Sequence, residues 1–192
     1  MISPRLITCV LTSAALAACA TTHEAPRAAP QNASLSLCAM HVSNAPAADA
    51  HGRIIGYSKF IDERGVELVR APVKACLSSG YGPRKGGAGG FHEGVDLYTR
   101  VPAPVRAAAA GVVVETGRER GYGNVVTIRH GRGVETRYAH LSAIEPGISR
   151  GARVMAGEEI AMTGRTGNAT AVHLHYEILI DGRPINPLAH RD

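Results

Sequence analysis

Ala171-Val172-His173-Leu174-His175-Tyr176-Glu177 changes character from one residue to the next. Successive side chains of a β-strand point to opposite faces, so His173, His175 and Glu177 share one face and Val172, Leu174 and Tyr176 the other. Two imidazoles two residues apart on a rigid element aim into one volume. That arrangement suits a metal site or a His pair that moves protons. The plainer reading is two histidines on the wet face of a half-buried strand, and this stretch alone does not choose between them. Glu177 shares their face, as an orienter of a neighbouring histidine or as a surface carboxylate.

Outward from this strand the sequence stays strand-like. Gly111-Val112-Val113-Val114-Glu115 is an apolar run, Asn124 to His130 alternates, Gly131-Arg132-Gly133 turns, and Val134 to Leu141 returns as a hairpin strand that carries His140 near its end. Ile160 to Met162 is a short strand, Thr163 to Thr170 a loop, and Asp181-Gly182 a tight-turn signal. Ile185 to Asp192, with two prolines, reads as a tail laid along the domain. Further upstream, Arg53 to Phe60 and Val66 to Val69 flank an Asp62–Gly65 turn, a hairpin or flap. Helical periodicity is almost absent, so the expected fold is all-β, an antiparallel sheet or sandwich. The Gly-dense run from Ser78 to Gly90 lacks the Gly-Lys-Ser/Thr ending and helix start of a phosphate loop. It reads instead as a loop whose backbone can approach a ligand.

The 192 residues hold one domain and extensions, and the formal charge of +5 is spread along the chain. It suits any anionic polymer and gives no specific sign of nucleic acid. Met1 to Arg5 is basic, Leu6 to Ala18 is apolar but short for a bilayer, and Leu16-Ala17-Ala18-Cys19 follows. This resembles a bacterial lipobox; cleavage as a plain secretory signal after Ala20 is the other reading. Either implies export. A lipidated Cys19 implies a membrane anchor, and the absence of Asp after it favours, by the same resemblance, a periplasm-facing outer-membrane lipoprotein of a diderm bacterium. Cys9 leaves with the signal, so Cys38 and Cys76 remain as a candidate disulfide or as two separate thiols. The expected divisions are a signal at 1–18, a flexible tether at 19–50 with a short-strand reading for 34–40, a flap lead-in at 51–76 and the main domain at 77–190. His23, His41 and His51 share no spacing and read as solvated surface residues.

His92, Asp96, His140, His173 and His175 stand beside glycines or at strand ends. Gly94 lets His92 and Asp96 converge if the chain bends there. Zinc takes imidazole and carboxylate ligands, and a catalytic site uses three and keeps one position open. The remaining histidines would be acid–base groups. The set fits a zinc hydrolase, but spacing does not say which residue does what.

The run from Leu77 to Leu188 resembles the lysostaphin-type (LytM-like) zinc metallopeptidases that cut peptidoglycan cross-links. The matching pieces, in the family's order, are Ser79 to Arg84, His92-Glu93-Gly94-Val95-Asp96, Pro104-Val105 with Ala107 to Val113, Gly121-Tyr122-Gly123-Asn124, Tyr138-Ala139-His140-Leu141-Ser142, Gly164-Arg165-Thr166-Gly167 and His173 to Glu177. The resemblance implies that His92, Asp96 and His175 bind one zinc per chain and that His140 and His173 are the catalytic histidines. It implies supporting places near the cleft for Asn124 and Tyr138. Arg84 is a candidate for substrate carboxylates or a solvated loop arginine. His130 and His190 match no functional position. Two departures are visible: one extra residue between Asp96 and Pro104, and Ala169-Thr170-Ala171-Val172 where Ser-Thr-Gly-Pro is usual. The activity implied is hydrolysis of D-Ala to diaminopimelate cross-links, with peptidoglycan peptides as partner. A non-catalytic activator of a peptidoglycan amidase and a zinc hydrolase with another substrate are the competing functions.

Overall fold

The computed structural model describes residues 34–84 and 90–189. The signal, Cys19, the tether up to residue 33, part of the Gly-dense loop and His190 lie outside them. The described residues form strands and no helix: β1 (Phe60–Glu63), β2 (Val66–Val69), β3 (Cys76–Ser79), β4 (Gly82–Pro83), β5 (Phe91–His92), β6 (Val95–Tyr98), β7 (Pro104–Arg106), β8 (Gly111–Glu119), β9 (Gly123–Gly131), β10 (Val134–Leu141), β11 (Ala143–Ile144), β12 (Arg153–Val154), β13 (Glu159–Met162), β14 (His173–Ile180) and β15 (Arg183–Ile185). The described residues are therefore all-β, and their named strands pair antiparallel, as the alternating runs require.

The main sheet runs β12-β8-β9-β10-β14-β6-β3, with β15 paired to β14. A smaller sheet, β11-β13-β7, and the β1–β2 hairpin stand beside it. Alternation divides the main sheet into two faces. Val126 and Ile128 of β9, Tyr138 of β10, and Leu174, Tyr176 and Ile178 of β14 fill one face and join Val105, Ile160 and Ala161 of the smaller sheet in a single apolar core. The other face carries a polar row across four strands, Glu115, Thr127, Arg137 and Glu177, because these residues oppose one another in register.

Tyr138 corrects an expectation here. It opposes Val126 and Tyr176, so it lies wholly in the core and not near the cleft. Its hydroxyl accepts from the Ala108 amide at 2.8 Å and lies 2.9 Å from the Thr136 hydroxyl, a polar tip satisfied inside the core.

The flexible tether expected over 19–50 is a second correction, for residues 34–50. Leu35 is fully buried, Leu37 bridges Leu77 in parallel and Ser43 bridges Ser79, so this segment lies along β3 as an added strand-like strap. Cys38 and Cys76 form a disulfide, with Cα atoms 5.0 Å apart. Ala and Pro content reads as linker, but a single buried leucine and a covalent link outweigh composition.

Candidate metal and catalytic site

Strands β5, β6 and β14 deliver three ligand atoms to one point. β14 pairs with β6 so that His175 opposes Asp96. His92 reaches the same place because the chain bends tightly between β5 and β6. A Cβ at Gly94 would collide with the Tyr176 carbonyl oxygen of β14, so only glycine allows this bend against the sheet. The Nε2 atom of His92 is 3.1 Å from Asp96 Oδ1 and 3.1 Å from His175 Nδ1, and the last two atoms are 2.9 Å apart.

The outer nitrogens fix which atoms face inward. His92 Nδ1 is 2.7 Å from the Gly80 carbonyl oxygen, a pure acceptor, so Nδ1 donates and Nε2 keeps its lone pair. His175 Nε2 donates to Glu177 Oε1 at 2.9 Å, which turns Nδ1 inward. Glu177 is thus an orienter and not a surface carboxylate; it is 1% exposed. Three lone-pair atoms meeting in a buried triangle need a positive charge among them. A proton on His175 or a metal ion each supplies it. Burial disfavours a charged His175, but bonds to Asp96 and Glu177 outweigh burial and push its pKa up to about 9. Burial likewise opposes ionisation of Asp96, yet its close partners His175 and His92 hold its carboxyl well below the usual range. Ligands about 2.0–2.2 Å from a tetrahedral ion stand roughly 3.3–3.6 Å apart, so the triangle is one tetrahedral face closed by a few tenths of an ångström. The donor set fits a divalent metal.

His140 and His173 stand beside this triangle, their ring centres 4.8 Å apart. By alternation His140 should follow Tyr138 into the core. Instead β10 breaks register between Tyr138 and Leu141, and His140 adopts φ of 61°. This bulge turns the ring to the site face. A non-glycine residue in that conformation costs energy and is held there by its surroundings. His140 Nδ1 donates to the Thr166 carbonyl at 2.8 Å, and Asn124 Nδ2 donates to the Leu141 carbonyl at 2.9 Å, which holds the bulge. His173 Nδ1 donates to Ala171 O at 2.9 Å, and its Nε2 lies 3.7 Å from Asp96 Oδ1. Both histidines therefore offer Nε2 as a base. Burial, reinforced by His173, pushes the pKa of His140 down to about 4, so it is neutral near pH 7.

A cavity of about 450 Å³ opens over these groups, with Arg84, Phe91, Glu93, Tyr122 and Asn168 on its walls. Arg84 Nη2 lies 3.5 Å from Asp96 Oδ2, so this arginine is on the cleft wall. His130 is away from it, its Nδ1 donating to Ala110 O at 2.8 Å and its Nε2 2.7 Å from Thr136 Oγ1. His41 and His51 are exposed. Tyr122 was missed as a cleft residue. Its hydroxyl donates to Glu177 Oε1 at 2.9 Å and lies 3.1 Å from Glu93 Oε2. The signal available was an aromatic held between Gly121 and Gly123 in a turn.

Residues 90–187 match the model of peptidase family M23. The chain belongs to that family. Among relatives, it is 42% identical over 134 residues to the DD-carboxypeptidase/endopeptidase Mpg of Neisseria meningitidis, covering 68% of this chain but 30% of that protein. Among solved structures, it is similar to a zinc-containing peptidase from Vibrio cholerae, with TM-score 0.60, 31% identity, and 68% of this chain and 45% of that one covered. The catalytic domain of lysostaphin from Staphylococcus simulans gives TM-score 0.55 and 33% identity over 59% of this chain and 89% of that domain. The M23 domain of this chain contains all five residues described above as ligand or base candidates, and its strands are those that carry them.

Proposed function

We propose that this M23 chain is a zinc-dependent endopeptidase that hydrolyses peptide cross-links of peptidoglycan, with D-Ala to diaminopimelate links as its target. The observation that carries the reading is the buried triangle of His92, Asp96 and His175 with His140 and His173 beside it. His92 Nε2, His175 Nδ1 and Asp96 Oδ1 would hold the ion. Zinc, when bound, supplies a Lewis acid and a water acidic enough to attack near neutral pH. His140 and His173, each with Nδ1 fixed on a backbone carbonyl, present Nε2 to the reacting atoms. One takes the proton of the attacking water on Nε2, that proton passes on to the leaving amine, and the other, when it carries a proton on Nε2, serves the developing oxyanion. Glu177 keeps His175 in the tautomer that binds. Arg84, on the cavity wall, would meet a substrate carboxylate. The name of a relative from Vibrio cholerae, a peptidoglycan DD-endopeptidase, supports the substrate class.

The same proposal places the chain outside the cytoplasm, anchored to the periplasmic face of the outer membrane through lipid on Cys19. A Cys19→Ala chain should then move from the membrane fraction to the soluble one.

The test uses the purified full-length chain and isolated peptidoglycan. The chain should carry about one zinc and release soluble muropeptides. His175→Ala should lose metal and activity together. His140→Ala and His173→Ala should keep the metal and lose roughly 10²–10⁴-fold in rate. Unchanged activity in His175→Ala and His140→Ala would overturn the mechanism. Zinc binding without turnover in the wild type would favour the activator function instead.

A further inference from the structure

We infer that the strap from Ser36 to Asn44, stapled through Cys38–Cys76, is a positioning element for the metal ligand His92, and that the staple sets how tightly the site holds its metal. The inference rests on the reading of His92, Asp96 and His175 as ligands.

The strap belongs to the site by its bonds. β3 is the last strand of the main sheet, and one of its edges pairs with β6. The strap covers its other edge. Leu77 N donates to Ser36 O at 2.8 Å, Cys38 N to Leu77 O at 2.9 Å and Gly80 N to Ser43 O at 2.7 Å. Left uncovered, this would be a sheet edge with unpaired backbone groups and a frayed end at Gly80. Gly80 carries the carbonyl that accepts from His92 Nδ1. The strap approaches so closely that a Cβ at Gly80 would strike the Asn44 carbonyl. Asn44 Nδ2 also reaches the Gly80 oxygen, at 3.5 Å. β3 touches a second ligand as well, because Ser79 opposes Asp96 and Ser78 Oγ donates to the Asp96 carbonyl at 3.1 Å.

The chain of position is therefore strap, Gly80 carbonyl, His92 ring, metal. A ligand imidazole whose outer nitrogen loses its partner turns more freely, and its metal affinity falls. The strap is retained by Leu37 and Val42 against the core, by buried Leu35 just before it, by a few backbone bonds and by the disulfide. The disulfide sits four residues before Gly80, so it pins the strap where the relay begins. The residues involved precede the matched M23 segment, which makes the lead-in part of the metal site.

The experiment is a competitive zinc titration of the full-length chain in mild detergent, well below the unfolding temperature of each variant. Cobalt absorption on the same proteins reports ligand geometry. Cys38→Ser/Cys76→Ser should raise the zinc Kd about tenfold or more and alter the cobalt spectrum. Val154→Ala lies buried in β12 at the opposite edge of the same sheet, and it should lower stability while leaving affinity and spectrum as in wild type. Asn44→Gly keeps the staple and tolerates the φ of 52° found at Asn44. It should weaken binding in the same direction by less. Wild-type affinity in the double-serine variant, or equal weakening in Val154→Ala, overturns the inference. If the double-serine variant does not fold, unchanged affinity in Asn44→Gly overturns it. A wild-type chain that binds no metal overturns the triad reading and this inference together; binding in wild type with no effect of either strap variant overturns this inference alone.

Discussion

His140 and Glu177 show what one residue contributes and how much of it the sequence carries. All five candidate residues stood out by residue type and motif, because imidazole and carboxylate chemistry is a property of the side chain, and the structure brings them together. Their directions were less so. Strict alternation would send His140 into the core, and only the left-handed bulge, held by Thr166 and Asn124, brings it back to the site. The same alternation, taken without that bulge, gives Tyr138 its true place in the core. Glu177 had two readings from sequence, and burial against His175, Tyr122 and Arg137 decides for the orienter. Glu177→Ala should therefore cost about 10–100-fold in zinc affinity, read by competitive titration, while Glu177→Gln, which keeps an acceptor oxygen, should cost less. Equal affinity in both variants and wild type would remove Glu177 from the site.

Strands were readable where alternation was local, as in the β9–β10 hairpin and in β14. The strap over 34–50 was readable only in part, as the short-strand reading of 34–40, because its order comes from partners distant in sequence: Leu77 and Ser79 of β3, Ile54, and Cys76. No window of local composition reports such a partner. Two predictions belong to this scale. Gly94→Ala forces a methyl into the β14 backbone and should destabilise the chain by about 1–3 kcal/mol in denaturant titration, with weakened metal binding. Removing the Cys38–Cys76 link, which closes a span of 38 residues, should lower stability by about 2–4 kcal/mol in the same measurement.

Across the described residues, one sheet has an apolar face that makes the core and a polar face that, with His92 from β5, makes the candidate site. The ordered set of motifs made this architecture legible; the strand order and the smaller sheet follow from long-range pairing that no single stretch encodes. Global stability also carries a pH signature. Burial lowers the pKa of His130 from 6.5, and the folded state keeps the ring neutral between Ala110 and Thr136. The unfolded chain binds that proton more readily, so stability is full above about 6.5 and is lost as pH falls below it. In metal-free protein, His130→Gln should flatten the fall of Tm between about pH 7 and 5 relative to wild type; parallel slopes would contradict this. The central claim is hydrolysis of a peptide cross-link by the M23 site. It is tested most directly by mass spectrometry of a defined D-Ala to diaminopimelate cross-linked muropeptide dimer incubated with the zinc-loaded chain. The expected result is conversion to two monomers whose summed mass exceeds the dimer's by one water, abolished in His140→Ala, which still holds zinc. An intact dimer with the zinc-loaded wild type, or equal cleavage by His140→Ala, would contradict it.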